Sequence, residues 1–404
     1  MINRELYMER IRPFINNELI KVLTGIRRCG KSVMLELIQE DLLTRGVDRS
    51  QFILYNFEQM KNARLCNANV LYKELEKRIS EVNGKAYLFF DEIQEVDGWE
   101  KCINSCRIDY DCDIYITGSN AKLLSGELAT YLAGRYVEFV IYPFSFSEYL
   151  TFAKQNNPSV QTSSVFQSYL TNGGMPFLVN LLDNPDACTQ YLKDIYSSVM
   201  LKDVVKRNNI RDVDLLERII TYILANVGHT FSASSIVKYF KSENRKVSNE
   251  TILNYIKACC DAFLFYKVGR EDLIGKKILS INEKYYIADH GLREAVYGRN
   301  EQDIDQTLEN IVYLELLRRG YTVTVGKNHD KEIDFVATKT GDKVYVQVSY
   351  LLATKETIER EFNAYKGVPD NFPKYVVSLD AIDFSRDGIK HKNLLDFLLM
   401  DSYE

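Results

Sequence analysis

No run of about 18 apolar residues occurs in this sequence, so no helix able to span a bilayer is expected. The opening MINRELYMERIRPF carries charge every few residues and lacks the apolar stretch of about 7–15 residues that a secretory signal needs, so a cytoplasmic protein is expected. The eight cysteines form no CxxC pair. Cys102, Cys106 and Cys112 lie close in sequence but have no histidine nearby, so they read as small buried thiols, reduced in a chain that is not exported, rather than as a zinc site. Internal repeats and low-complexity linkers are missing too. A basic excess is also lacking: the formal charge is −5, so any nucleic-acid contact must be local. What is present is a chain of 404 residues with 46% hydrophobic and 26% charged residues, the make-up of a soluble globular protein. At roughly 100–200 residues per domain, two to four domains are expected.

Residues 1–145 alternate short apolar runs with helical patterns, the pattern of a parallel sheet covered by helices. The runs are 19–24, 51–57, 85–90, 113–117 and 136–142, each nearly continuous in hydrophobicity, as strands buried on both faces should be. From 163 to 209 the pattern is helical, broken at Asn172-Gly173-Gly174-Met175-Pro176, and reads as a small lid. Helices at 215–226 and 234–240, a third opening at the cap Ser248, and strand-like runs at 264–269 and 277–281 suggest a winged helix. The last hundred residues open with an amphipathic helix over 305–319, followed by strands at 321–325, 332–337 and 343–350.

The sharpest signal is Gly25-Ile26-Arg27-Arg28-Cys29-Gly30-Lys31-Ser32, which fits G-x-x-x-x-G-K-[ST] between an apolar strand and the helical pattern 33–43. Glycines let such a turn curl its N–H groups around phosphate oxygens, lysine neutralises the outer phosphates, and the hydroxyl binds magnesium. Gly25, Arg28, Cys29, Gly30, Lys31, Ser32 and Val33 are therefore the expected nucleotide contacts, with ATP and Mg2+ as cofactors. Tyr87-Leu88-Phe89-Phe90-Asp91-Glu92 supplies the second requirement: Asp91 joins Ser32 at magnesium, and Glu92 polarises the attacking water. Ser119 or Asn120, after the fourth strand, is placed to sense the γ-phosphate, although the pair also suits an ordinary helix cap. Arg135, just before the fifth strand, is either a surface arginine or a guanidinium that reaches a nucleotide held by a second copy of the chain.

With these motifs in order, the chain resembles a family of archaeal and bacterial AAA+ ATPases, relatives of the archaeal-type ATPases, that carry a C-terminal region related to restriction endonucleases. Further matching pieces are Asp91-Glu92-Ile93-Gln94 before Gly98-Trp99, Thr117-Gly118-Ser119, Leu132-Ala133-Gly134-Arg135, Tyr142-Pro143-Phe144-Ser145-Phe146, Gly173-Gly174-Met175-Pro176 and Leu201-Lys202-Asp203-Val204. The resemblance implies an α/β fold: an AAA+ (ASCE) P-loop core over 1–160, a helical lid over 161–211, a winged helix over 212–300 and a PD-(D/E)xK-like domain over 301–404. Such a nuclease needs a helical glutamate, a strand aspartate and a Glu-x-Lys strand, so that carboxylates hold metal and lysine orients water. Glu309 and Asp334 fit the first two as metal ligands, but the third element reads Gln347-Val348-Ser349, so docking is expected rather than cleavage.

Between Lys238 and Lys277, nine Lys/Arg face five Asp/Glu in a chain that is acidic overall. Lys241, Arg245 and Lys246 are expected at DNA phosphates, with Ser248 and Asn249 at base edges, while a solvated charged face or a protein dock remains the plain alternative. The expected protein is an ATP-hydrolysing AAA+ machine acting on DNA. A signalling or scaffold switch with slow turnover and an ATP-gated nuclease are the alternatives.

Overall fold

The structure is a computed structural model that describes residues 2–124, 132–182, 184–242, 245–275, 277–298, 300 and 303–403. Its residues fall into two compact units, one running to Tyr142 and including Asp261–Phe263, the other comprising Pro143–Cys260 and 264 onward.

The first unit contains α1 (Glu5–Ile11), β1 (Ile20–Thr24), α2 (Lys31–Thr44), β2 (Phe52–Asn56), α3 (Ala68–Ser80), β3 (Ala86–Asp91), α4 (Trp99–Asp109), β4 (Cys112–Gly118) and β5 (Tyr136–Val140). The strands form one parallel sheet in the order β2-β3-β4-β1-β5, so β4 lies between the strand preceding the phosphate loop and the strand carrying Asp91. Every residue of β1 and β3 is buried, which is why these runs lack the alternation of a half-exposed strand. On one face Val22, Leu88, Phe90 and Ile116 pack with Leu71 and Leu75 of α3 and with Trp99, Ile103 and Cys106 of α4. Cys102 and Cys106 are thus core residues, and all eight cysteines are free thiols. The sheet also encloses an ion pair, Lys21 with Asp113, both fully buried. Asp113 accepts further hydrogen bonds from the Asn16 N–H (2.8 Å) and the Tyr115 hydroxyl (2.7 Å).

The second unit begins with α5 (Phe146–Asn156), whose start is fixed by a reciprocal capping box between Ser145 and Glu148. Helix α6 (Thr162–Asn172) ends at Gly173, where φ is +84° and a Cβ would sit 1.9 Å from Asp289 Oδ1. That break at 172–176 is the expected one, and the reason is close approach: the Gly174 N–H donates to Asp289 Oδ2 at 2.6 Å. Then come α7 (Pro185–Ser198), a π-helical stretch Val199–Lys206, α8 (Val213–Ala225), α9 (Ala233–Ser242) and α10 (Asn249–Asp261). Next are β6 (Phe265–Asp272), β7 (Lys277–Ile287), α11 (His290–Tyr297), α12 (Ile304–Arg318), β8 (Thr322–Asn328), β9 (Lys331–Lys339) and β10 (Asp342–Val348). The chain closes with α13 (Lys355–Asn363), β11 (Lys374–Ser378), β12 (Lys390–Asn393) and α14 (Leu394–Leu399).

Two features differ from the sequence reading. Strands β6 and β7 belong to the same seven-stranded sheet as the C-terminal strands, in the order β12-β11-β10-β9-β8-β6-β7. Helix α12, expected to be amphipathic, is buried on nearly every side from Thr307 to Arg318. Its polar residues are accommodated by specific partners: Asn310 accepts from the Ile287 N–H (2.8 Å) and donates to the Ile287 carbonyl (2.9 Å), and Arg318 donates to the Pro143 carbonyl (3.0 Å).

Candidate functional site

The phosphate loop joins β1 to α2. Gly25 has φ +139°, and a Cβ there would lie 2.2 Å from the Ile141 carbonyl oxygen; Gly30, at φ +104°, is the N-cap of α2. The N-cap glycine offers no side chain to that helix, and the Lys31 N–H is turned to the Cys29 thiol, which leaves the next N–H groups of the first turn to an anion. Arg28 and Val33 are exposed, while Cys29 is fully buried, its thiol pushed up by desolvation. Lys31 folds over the loop, donating to the carbonyls of Gly25 (3.0 Å) and Ile26 (3.2 Å), and its ammonium is 3.9 Å from Glu92 Oε1.

Across from the loop, Ser32 Oγ donates to Asp91 Oδ2 at 2.7 Å. A hydroxyl and a carboxylate in contact are the hard oxygen donors that magnesium takes, so the residues present fit a Mg2+–triphosphate pair. Three residues to which the sequence reading gave no role complete the arrangement. Asn56, at the tip of β2, donates to Asp91 Oδ2 (2.8 Å), and Thr117, near the end of β4, donates to Asp91 Oδ1 (2.6 Å) and accepts from the Glu92 N–H (2.9 Å). Glu92 is thereby held at φ +53°, a conformation that non-glycine residues adopt at a cost. The Gln94 side-chain amide donates to its carboxylate. Arg4 is the third: buried before α1, it donates to the Cys29 carbonyl (3.2 Å) and the Tyr142 carbonyl (2.9 Å), bracing the loop from beneath. The spacing of strand tips in a parallel sheet predicts Thr117 and Asn56; nothing in the sequence signals Arg4.

Ser119 and Asn120 follow the end of β4 on this same edge, fully buried. Arg135 lies at the opposite end of the sheet, where its carbonyl accepts from the Ile20 N–H and its guanidinium reaches Asn104 Oδ1 at 3.1 Å. Four residue steps along β1 separate Ile20 from Thr24, about 13 Å of strand, so Arg135 does not serve the loop of its own chain.

A second centre lies in the other unit. Glu309 on α12 and Asp334 on β9 line one cavity of about 520 Å³ together with Gln347, Ser349, Glu332 and Glu361. Burial pushes the Glu309 carboxyl up to about 7 against the pull of Lys284, and burial together with the Glu309 charge raises Asp334 well above the usual carboxylate range. Gln347 takes no vacant carboxylate role: its Oε1 accepts from the Asp334 N–H (3.2 Å) and its amide donates to Glu361 (2.8 Å). Lys343 is turned toward Asp370 at 3.5 Å. Among the described residues, no group of three or more His, Cys, Asp or Glu is placed to hold a metal.

A Ser-His-Asp set, Ser378, His391 and Asp380, is structural rather than nucleophilic. The Phe384 N–H donates to His391 Nδ1 (3.3 Å), so Nε2 carries the proton and donates to Ser378 Oγ (2.9 Å), whose own hydroxyl is given to Asp380 (2.8 Å). The imidazole is therefore the wrong tautomer to accept the serine proton.

Of the expected DNA contacts, Lys241, Lys246 and Asn249 are exposed. Ser248 is exposed and caps α10, as its place at the start of the third helix suggested: its hydroxyl accepts from the Thr251 N–H at 3.0 Å. Arg245 is paired with Asp214 at 2.5 Å. Glu243 and Lys276, which entered the charge count, lie outside the described residues. No described helix is long and apolar enough to cross a membrane.

The pattern of the AAA domain family matches residues 17–150, and that of a domain of unknown function (DUF8612) matches 163–303. A Walker-type ATPase of Pyrococcus abyssi is similar in fold, with a TM-score of 0.51 and 17% identity over 73% of this chain and 96% of that one. An uncharacterized protein of Methanocaldococcus jannaschii is 31% identical over 96% of this chain and 86% of its own length. With a further uncharacterized protein, from Haemophilus influenzae, 38% identical over 99% of both chains, the chain belongs to one family of AAA-domain proteins.

Proposed function

We propose that this protein is a magnesium-dependent ATPase whose nucleotide cycle acts on DNA. The observation that carries the first half is the Ser32–Asp91 hydrogen bond of 2.7 Å, which brings a magnesium-type donor pair to the mouth of the phosphate loop, beside Lys31 and Glu92. The loop's N–H groups receive the phosphates, and Lys31 exchanges its two loop carbonyls for phosphate oxygens. Ser32 and Asp91 hold Mg2+, which when bound neutralises charge on the outer phosphates. Glu92 orients the attacking water, Thr117 holds the strand tip that aims it, and Ser119 and Asn120 sense the γ-phosphate. Arg135, distant from its own loop, acts on the nucleotide of a neighbouring copy.

The DNA half rests on the second unit. A winged-helix reading is supported by α8, α9 and α10 followed by the β6–β7 hairpin, with the Phe231 N–H donating to the Glu283 carbonyl (2.8 Å) as a short third strand would. A restriction-endonuclease-like reading is supported by the succession α12, β8, β9, β10, α13, β11, with β8–β9–β10 antiparallel and β10–β11 parallel. The exposed lysines Lys241 and Lys246, with Arg245 and Asn249, are the proposed DNA contacts.

ATP turnover measured with and without single- and double-stranded DNA tests this reading. Stimulation is expected, as is DNA affinity that falls steeply with salt and drops at least about tenfold when Lys241, Arg245 and Lys246 become alanine. Unchanged affinity in that triple variant removes the winged helix as the contact. Turnover indifferent to DNA, with oligomerisation that follows nucleotide, favours a scaffold switch instead.

A further inference from the structure

The carboxylates Glu309 and Asp334 come from α12 and β9, but the cationic group beside them comes from β7, a strand of the hairpin some twenty-five residues earlier in sequence than Glu309. Lys284 is only 4% exposed. Its ammonium lies 2.8 Å from Glu332 Oε1 and 3.8 Å from Glu309 Oε2, and its charge acts on Asp334 as well. We infer that Lys284 is the resident cation of this centre, so that its carboxylates are neutralised from within the chain and take no divalent metal.

One oxygen of each of these carboxylates is turned to a protein donor. Glu309 Oε2 accepts from the Tyr286 hydroxyl at 3.0 Å, and Asp334 Oδ2 accepts from the Val348 N–H at 2.9 Å. Glu361 is held by Gln347 and by Arg360, the latter at 2.6 Å, while Glu332 is shared between Lys284 and Arg270 at 2.8 Å. A divalent ion bound between Glu309 and Asp334 would therefore face the buried Lys284 ammonium at short range, and like charges repel. Buried carboxylates need a positive partner or a proton. A fixed lysine supplies the partner without an exchangeable ion. The position of Ser349, where Glu-x-Lys would place its lysine, fits the same account: this centre's ammonium stands on another strand, locked among carboxylates.

The inference rests on the nuclease-like reading for the identity of the ion that lysine replaces. Its test is a manganese titration of the full chain without nucleotide, with free Mn2+ followed by its electron paramagnetic resonance signal. Wild type is expected to show no site tighter than about 1 mM that Asp334→Asn removes. Lys284→Met is expected to gain one such site, lost again when Asp334→Asn is added. Should Lys284→Met fail to fold, Lys284→Met with Glu332→Gln removes both members of the 2.8 Å pair and carries the same expectation. A site in wild type that Asp334→Asn abolishes overturns the inference while leaving the nuclease-like reading standing. A folded lysine variant that gains no manganese overturns both.

Discussion

ATP turnover by Glu92→Gln is expected to fall about 100- to 10,000-fold, with ATP affinity changed less than about threefold. The amide keeps the shape of the side chain and can still accept from Gln94, whose amide donates to Glu92 in the native chain. What it loses is the negative charge that polarises water. Because Glu92 is 3.9 Å from Lys31, the substitution removes a partner of that ammonium without touching the loop, Ser32 or Asp91. Binding and chemistry should therefore separate. Turnover that persists near the native rate would assign the water to another group, and affinity that collapses with turnover would make Glu92 a structural partner of Lys31.

Lys21→Met is expected to destabilise the first unit by about 3–5 kcal/mol, the range found when one member of a buried ion pair is removed. Neither Lys21 nor Asp113 reaches solvent, and the pair ties β1 to β4 toward the end of the sheet away from the phosphate loop. Desolvation lowers the Lys21 pKa while Asp113 opposes that shift, so each charge depends on the other. Methionine fills the volume but leaves Asp113 with only the Asn16 N–H and the Tyr115 hydroxyl. At roughly 2–4 °C per kcal/mol the melting temperature should drop by about 6–20 °C. The double variant Lys21→Met with Asp113→Leu is expected to recover most of the loss, since well-packed apolar pairs replace buried ion pairs at little cost. A single variant that melts within a degree or two of wild type would mean that water reaches Asp113.

The same lysine shows where a sequence stops being legible. The five strands of the first sheet are readable because each is a short apolar run between helical patterns, and the loop that follows β1 has a motif tied to phosphate geometry. Lys21 inside such a run carries no sign of its partner, because Asp113 lies on a strand that is adjacent only in the folded sheet. Helix α12 escaped for a related reason: Asn310, Glu315 and Arg318 look like a solvent face until their buried partners are known. Beyond Tyr350 the strands of that domain carry no alternation to read, because β11 and β12 are short, lysine-bearing strands that join the sheet in parallel. At the nucleotide site the motif residues were legible and strand-tip spacing points to Asn56 and Thr117, whereas nothing in the sequence signals Arg4. At the second centre Glu309 and Asp334 followed from the family resemblance, but Lys284 belongs to a strand that sequence reading placed in another domain.

The account as a whole depends on a triphosphate and magnesium being held by the turn that bears Lys31, and calorimetric titration of Mg-ATP into native protein and Lys31→Ala tests that most directly. Loss of a charge-assisted contact worth about 2–3 kcal/mol predicts affinity weakened roughly 30- to 150-fold in the variant. Equal affinity in the two proteins would contradict it.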